Sequence, residues 1–487
     1  MAEGEGFDLQ KRAFLGQYMT PAPIARYMAS LFSSSSLDMP GAIRLLDAGA
    51  GLGALSQAFV ERVGTLPGLS LELSALDVDE KAAFQLGFLF QSLEAKYPSL
   101  KAGVHCGDFI ELSLSALKSG EARRYSHAIL NPPYRKIHGQ SHHRRLLLEA
   151  GIKTPNLYAA FIVLSLMLLR PGGELVAIVP RSFCNGPYYR WFRAFLLSHS
   201  ALRHIHLFGA RDKVFERDSV LQENIVLHLE RDGVQGDVSI STSNDGQFKD
   251  YSLRSLPFEH IVLPGDGRQF IHIPLPSQDI DPGKQARLRC SLEELGLEVS
   301  TGPVVDFRMR GHLRALPSKN TAPLIYPAHF ERGLLRWPKT PSKKPNAIAL
   351  GDITQKYLFP AGIYVLVPRF SSKEQKRRIV AHILEPQAFD YDHIAFENHW
   401  NVFHMGKQGL PKALAHGLWL FLNTSALEAS FRRFSGHTQV NASDLRWLRY
   451  PARELLGQLG QWALSQGRAP NEWTQTLVDE GVARILG

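Results

Sequence analysis

The residues best suited to chemistry are Asn131-Pro132-Pro133-Tyr134, which end the apolar run Ala128-Ile129-Leu130. Such a run reads as a short buried strand. Two consecutive prolines fix φ and remove two backbone donors, so the strand stops there with its carbonyls directed outward. The Asn131 amide oxygen and the Pro132 carbonyl then form two neighbouring acceptors, suited to the two N–H bonds of a planar exocyclic amine. Such an amine is a poor nucleophile, because its lone pair is delocalised into the ring. Two fixed acceptors favour a more tetrahedral nitrogen with the lone pair aimed at an electrophile. Tyr134 offers a flat face on which an extruded base can stack. For these four residues taken alone, a Pro-Pro turn closing a strand is a serious competitor.

The surrounding pattern supplies a frame. Apolar segments at 43–46, 71–76, 103–106, 128–130 and 174–179 read as strands and alternate with helical segments at 54–63, 80–95 and 156–169. That alternation indicates a mainly parallel sheet with ligands at the strand C-terminal ends. The first strand runs into Asp47-Ala48-Gly49-Ala50-Gly51-Leu52-Gly53, a turn that lets backbone approach a ligand closely. Asp77, followed by Val78, ends the second strand 24 residues after Gly53, the position from which a carboxylate accepts ribose hydroxyl bonds. Asp108 after the third strand can accept from an adenine amine, with Phe109 covering the ring. Each acid singly is as well explained as an exposed loop residue. Three at successive strand ends around a glycine turn are not.

With 487 residues and 44% hydrophobic content, the chain is long enough for two or three domains. No apolar run reaches membrane-spanning length, and the polar N-terminus is no signal peptide. Cys106, Cys184 and Cys290 stand singly, each read as a small buried hydrophobe. They offer no metal spacing and no disulfide framework, which favours a cytoplasmic protein without a metal site. Residues 301–487 carry 24 Lys/Arg against 14 Asp/Glu, a net of +10 within a total of +9. A basic part joined to a neutral part suggests phosphate-backbone binding by the C-terminal region, with residues 1–230 alone hardly binding duplex. Basic residues there are interleaved with aromatics, as in Arg336-Trp337, Lys373 to Arg378, His399-Trp400 and Arg446-Trp447. His142-His143-Arg144-Arg145 reads equally as a mobile loop contacting phosphates or as a solvated charged loop, and His204 and His206 read as outward polar positions on a strand rather than a metal pair.

The order of Gly16 to Pro21, Asp47 to Gly53, Asp77, Asp108-Phe109, Asn131 to Tyr134, Asn156-Leu157-Tyr158 and Pro171-Gly172-Gly173 resembles the gamma class of adenine-N6 DNA methyltransferases, of the TaqI and Eco57I types. The resemblance covers roughly residues 14–230 and rests on domain order beyond. It implies an α/β fold: a seven-stranded, mostly parallel, Rossmann-like S-adenosylmethionine-dependent methyltransferase domain with a C-terminal α+β target-recognition domain. Residues 1–230 would be catalytic, 231–299 a bridge, 300–450 the DNA target-recognition domain and 451–487 a helical tail. The cofactor would be S-adenosylmethionine, held by Gln17, Tyr18, Thr20, Pro21, Asp47, Gly49, Gly51, Asp77, Val78, Asp108, Phe109 and Asn131. Asn131, Pro132, Pro133 and Tyr134 would grip the target adenine, with Phe215 stacking on it. Double-stranded DNA is the implied partner, alongside a separate cognate restriction endonuclease. One departure is Asp77, where relatives often carry Glu. The competing readings are an RNA adenine or protein-glutamine methyltransferase, and an inactive DNA-binding specificity protein.

Overall fold

A computed structural model of the chain describes residues 20–37, 42–66, 68–120, 124–209, 224–274, 288–371, 375–385, 390–434 and 439–486. Two compact units divide the chain, residues 1–278 and 279–487.

The first unit is built on nine strands: β1 (Ala42–Ala48), β2 (Ser70–Asp77), β3 (Leu100–Cys106), β4 (Tyr125–Leu130), β5 (Leu169–Pro180), β6 (Ser200–Phe208), β7 (Asn224–Arg231), β8 (Val238–Ser243) and β9 (Ser252–Leu256). Their spatial order is β3-β2-β1-β4-β5-β7-β6-β8-β9. The first five run parallel, and β7 is antiparallel to both β5 and β6. Every residue of β4 is buried, as expected of a strand covered on both faces. Because the chain winds outward in both directions from β1 and β4, a crevice opens beyond their C-terminal ends.

Helices cover both faces. Side chains of α1 (Ala22–Ser30), α2 (Ala54–Val63) and α3 (Glu80–Lys96) share one apolar cluster with β1, β2, β4, β5 and β7. On the other face lie α4 (Phe109–Lys118), α5 (His142–Glu149), α6 (Leu157–Leu168) and α7 (Arg190–His199). α6 rests on β1, β4 and β5 between α4 and α7. Ten of its twelve residues are buried, so it is apolar all round rather than striped.

The sheet has two strands more than the seven expected. β8 and β9 fall inside 231–299, so at least residues 238–256 belong to the first unit's sheet rather than to a bridge. β8 hides from a hydropathy reading because its rungs include Ser241 and Ser243. Those hydroxyls bond to His204 and His206 of β6, at 2.6 Å for His204 Nε2 and 2.8 Å for His206 Nδ1 to Ser241, and 3.0 Å for His206 Nε2 to Ser243. Both histidines are buried, not outward-facing, and burial pushes their pKa values down to about 4 and about 3. Cys106, expected inside, is exposed, since it ends the strand at the sheet's edge.

The second unit mixes sheets and helices. One sheet pairs Glu298–Thr301, Trp400–His404, Tyr364–Pro368 and His382–Leu384, all antiparallel. A second, of five strands, includes Thr321–Ile325 and His393–Phe396. Five helices follow: α8 (Lys412–Leu422), α9 (Ser425–Phe434), α10 (Ala442–Trp447), α11 (Arg453–Ser465) and α12 (Gln475–Leu486). α8 and α11 touch backbone to backbone at Gly417 and Gly460, where a Cβ on Gly417 would stand 1.8 Å from the Leu456 carbonyl oxygen. Leu456, Leu459, Val478 and Val482 share one core with Leu292, Leu297 and Val299. Residues 451–487 are therefore an integral layer of this unit, not an appended tail, and its core begins before residue 300. Among the described residues, no helix is long and apolar enough to cross a membrane.

Candidate active site

β4 ends as its proline pair requires, and Asn131 stands at its tip. The Asn131 amide nitrogen donates to Thr20 Oγ1 at 2.9 Å. Its Oδ1 accepts from the Tyr134 hydroxyl at 3.2 Å, and that hydroxyl also reaches the Ile178 carbonyl of β5 at 3.3 Å. The one hydroxyl proton of Tyr134 divides between these two long contacts. Tyr134 itself is 8% exposed. Its hydroxyl thus orients Asn131, a role the sequence reading, which used only the ring face, did not contain. Pro132 is buried and Pro133 half-buried. Through its bond to Asn131, Thr20, just ahead of α1, is tied to the turn, while Gln17, Tyr18 and Phe215 lie outside the described residues. Pro21 begins α1, with its carbonyl accepting from Ala25 at 2.9 Å.

Three acidic residues line the adjacent edge. Asp47, at the end of β1, is fully buried. Its Oδ2 accepts from the Ser56 hydroxyl at 2.6 Å and the Ser56 amide at 3.2 Å. Its Oδ1 has no hydrogen-bond partner among the described residues. Burial, reinforced by nearby Asp77, pushes the carboxyl up to about 7. A buried acceptor without a donor is costly unless a ligand completes it. Asp77 is 4% exposed, with Oδ2 accepting from the Gly51 amide and Oδ1 from the Asp79 amide, both at 2.8 Å. Burial raises its pKa. Asp77 therefore also fixes the glycine turn, where Gly51 has φ +54 and Gly53 φ +83. A Cβ on Gly53 would lie 2.5 Å from Leu86 of α3, so glycine is required there on two counts. Val78, next to Asp77, is an apolar side chain left 55% exposed.

Asp108 is the N-cap of α4, its Oδ1 accepting from Ile110 N at 2.9 Å and Glu111 N at 3.1 Å. Its Oδ2 lies 2.8 Å from His143 Nε2. That partner was unforeseen, because residues 142–145 read as a loop. Ser141 caps them into α5, its Oγ accepting from Arg144 N at 3.3 Å. His142 Nε2 reaches Glu111 at 3.1 Å, so the histidine pair docks α5 on α4. Phe109 is 4% exposed, its ring 4.7 Å from Phe161 of α6. It packs between helices rather than presenting an open face.

The donor set fits S-adenosylmethionine. A partnerless buried carboxylate oxygen suits an ammonium, a side-chain-free turn suits close backbone approach, and an exposed Val78 beside Asp77 suits a nucleoside.

Comparison with known proteins places this geometry. Residues 87–215 match the family described as Eco57I restriction-modification methylase. The chain is 45% identical over 462 residues to the Type II methyltransferase M.BsuBI of Bacillus subtilis, covering 94% of this chain and 91% of that one. To the Type II methyltransferase M.PstI of Providencia stuartii it is 40% identical, covering 100% and 95%. The Type IIL restriction-modification enzyme MmeI, solved in complex with DNA, superposes with TM-score 0.54 at 10% identity, covering 95% of this chain and 70% of its own, a likeness of fold alone. With such identity over nearly the whole of both chains, and with its Asn-Pro-Pro-Tyr turn inside the matched methylase segment, this protein belongs to the Type II methyltransferases of restriction-modification systems.

Proposed function

We propose that the chain methylates N6 of an adenine extruded from double-stranded DNA, using S-adenosylmethionine. The observation that carries this reading is Asn131, held between Thr20 and Tyr134 at the tip of β4 beside the Asp47 edge. The cofactor supplies an electrophilic methyl group. Asp47 Oδ1 accepts its ammonium, and Gly49 and Gly51 give it backbone clearance. Asp77 takes the ribose, while Val78 and Asp108 form the adenine end, backed by the Phe109 ring packed on Phe161. Gln17, Tyr18, Thr20 and Pro21 complete the cofactor's site. Asn131 Oδ1 and the Pro132 carbonyl accept the two N–H bonds of the target amine and draw its nitrogen out of planarity. Pro133 shapes the turn, and Tyr134 and Phe215 flank the extruded base. Residues 300–450 recognise the DNA site. The enzyme acts in the cytoplasm, opposite a separate cognate endonuclease.

The test is incubation with labelled S-adenosylmethionine and duplex DNA, followed by nucleoside analysis. N6-methyl-2′-deoxyadenosine from the DNA is expected. Label appearing only in RNA or in protein glutamine would replace this reading, and no transfer to any of them would leave a DNA-binding protein.

A further inference from the structure

We propose that the first unit carries a DNA-binding site of its own, a basic aromatic cleft beside the catalytic turn that holds the sugar-phosphate backbone next to the extruded nucleotide. This inference rests on the function proposed above.

The cleft is open, about 650 Å3 in volume, and lined by Ile137, Arg144, Lys153, Tyr188, Arg190 and Trp191 among others, with no carboxylate among its described lining residues. Its two walls leave the C-terminal ends of neighbouring strands. One follows β4, where Ile137 N donates to the Pro155 carbonyl at 2.7 Å and Leu157 N to the Arg135 carbonyl at 2.9 Å. The other follows β5 and leads into α7. A file of tyrosines connects the catalytic turn to this second wall. The rings of Tyr134 and Tyr158 are 6.4 Å apart, and those of Tyr158 and Tyr189 are 6.0 Å apart. Tyr188 is the next residue.

Charge and exposure indicate the occupant. Arg144 is braced by the Thr154 carbonyl at 2.9 Å and Arg190 by the Gly267 carbonyl at 3.2 Å. Among the described residues neither pairs with a carboxylate, and Lys153 has no hydrogen-bond or ion-pair partner. Three cations gathered without an acid repel one another until an anion arrives. Tyr188 is 81% exposed, a large ring left open among the described residues. A polyanion bearing flat apolar faces satisfies both features, with phosphates on the cations and a base or sugar against Tyr188. DNA with one nucleotide extruded has that chemistry, and the cleft begins six residues beyond Asn131. The site lies in the unit whose sequence carries almost no excess charge, so its positive face is local rather than global.

The experiment uses the full chain carrying Lys153→Gln and Tyr188→Ala, both exposed positions, with duplex DNA that the wild type methylates as the probe. DNA affinity by fluorescence anisotropy and the KM for DNA should weaken on the order of tenfold. The slope of log affinity against log salt should become shallower by about 0.9, the contribution of one phosphate contact. kcat at saturating DNA, cofactor affinity and melting temperature should stay at wild-type values. A lowered melting temperature would call for the single variants, each held to the same outcomes. Unchanged DNA affinity and salt slope in variants of an enzyme that methylates normally would overturn the cleft and leave the proposed function standing. A wild type that methylates no DNA would overturn the function, and the cleft with it.

Discussion

The edge at the ends of β1 to β4 and the basic C-terminal unit use charge in opposite ways. At the edge, polar groups are held in place by neutral partners: Asp47 Oδ1 has no donor among the described residues, and Asn131 is gripped between Thr20 and Tyr134 at the tip of β4. In the C-terminal unit, cations that looked free in the sequence are bound into the fold. Arg378 is 1% exposed, donating to Ser371 Oγ at 3.1 Å and the Gln439 carbonyl at 3.2 Å, with its guanidinium over the Phe431 ring at 5.3 Å. Arg377 donates to the Asn423 and Thr424 carbonyls. Arg446 donates twice to the Val299 carbonyl. Net charge counts these groups equally with exposed ones, whereas a phosphate can reach only those the fold leaves open. A charge excess therefore locates a partner less well than a few unsatisfied atoms do.

The sharpest way to break the comparison is at Asn131. Asn131→Ala removes one of two acceptors for the target amine, and kcat should fall on the order of 10²–10³. Cofactor affinity, measured by calorimetry, should hold within about twofold. Turnover within tenfold of wild type would mean that Asn131 is no acceptor for the target amine.

The next test belongs to the other region. Arg378→Ala should destabilise the chain by about 3 kcal/mol, through lost packing on Phe431 and stranded buried acceptors. Lys376→Ala, at an exposed position, should leave denaturant midpoints unchanged. If instead Arg378→Ala kept full stability and lost DNA affinity, the arginine would be a phosphate contact after all.

How much was legible follows from the same contrast. The strands up to β5 and the helices α2, α3 and α6 could be read because apolar runs and glycine turns coincide there, and the order of motifs placed the acids. Asp77 and Asp108 were placed at the correct strand ends, but their backbone partners, Gly51, Asp79 and the first turn of α4, are visible only in three dimensions. β8 was missed because serines facing buried histidines imitate a loop. α5 was missed because four consecutive cationic or imidazole residues imitate a solvated stretch, although Ser141 is an ordinary N-cap. Which basic residues belong to the fold could not be read for a general reason: a single sequence shows that Arg377 and Arg378 carry guanidiniums, not that carbonyls surround them.

A milder test returns to the edge. Asp77→Ala should weaken cofactor binding by roughly 1.5–3 kcal/mol, the value of a hydrogen bond to a charged group. The loss has two sources, the ribose contact and the anchor of the Gly51 amide. Asp77→Asn separates them, since an amide oxygen can still accept from Gly51 N. Its calorimetric loss should be the smaller of the two. Equal losses would assign the whole effect to the ribose.

The smallest expected effect concerns stability and pH. Asp47 has a folded-state pKa near 7 because burial disfavours its charge, against roughly 3.9 in an unfolded chain. Between those values the folded state holds a proton that the unfolded state has released. Stability of the cofactor-free protein therefore falls as pH rises from about 4 to 7, and remains lowered above that. Asp47→Asn keeps an acceptor for Ser56 and removes the titration. It should raise the melting temperature of the cofactor-free protein by about 2–4 °C at pH 8, corresponding to about 1 kcal/mol, and by less at pH 5. The same variant should lose stabilisation by S-adenosylmethionine, because the ammonium has no carboxylate to meet. Melting curves at both pH values, with and without cofactor, read both effects at once. A variant less stable than wild type at pH 8 would mean that Asp47 is a structural acid with its charge satisfied inside the fold, which would make the edge resemble the C-terminal arginines rather than oppose them.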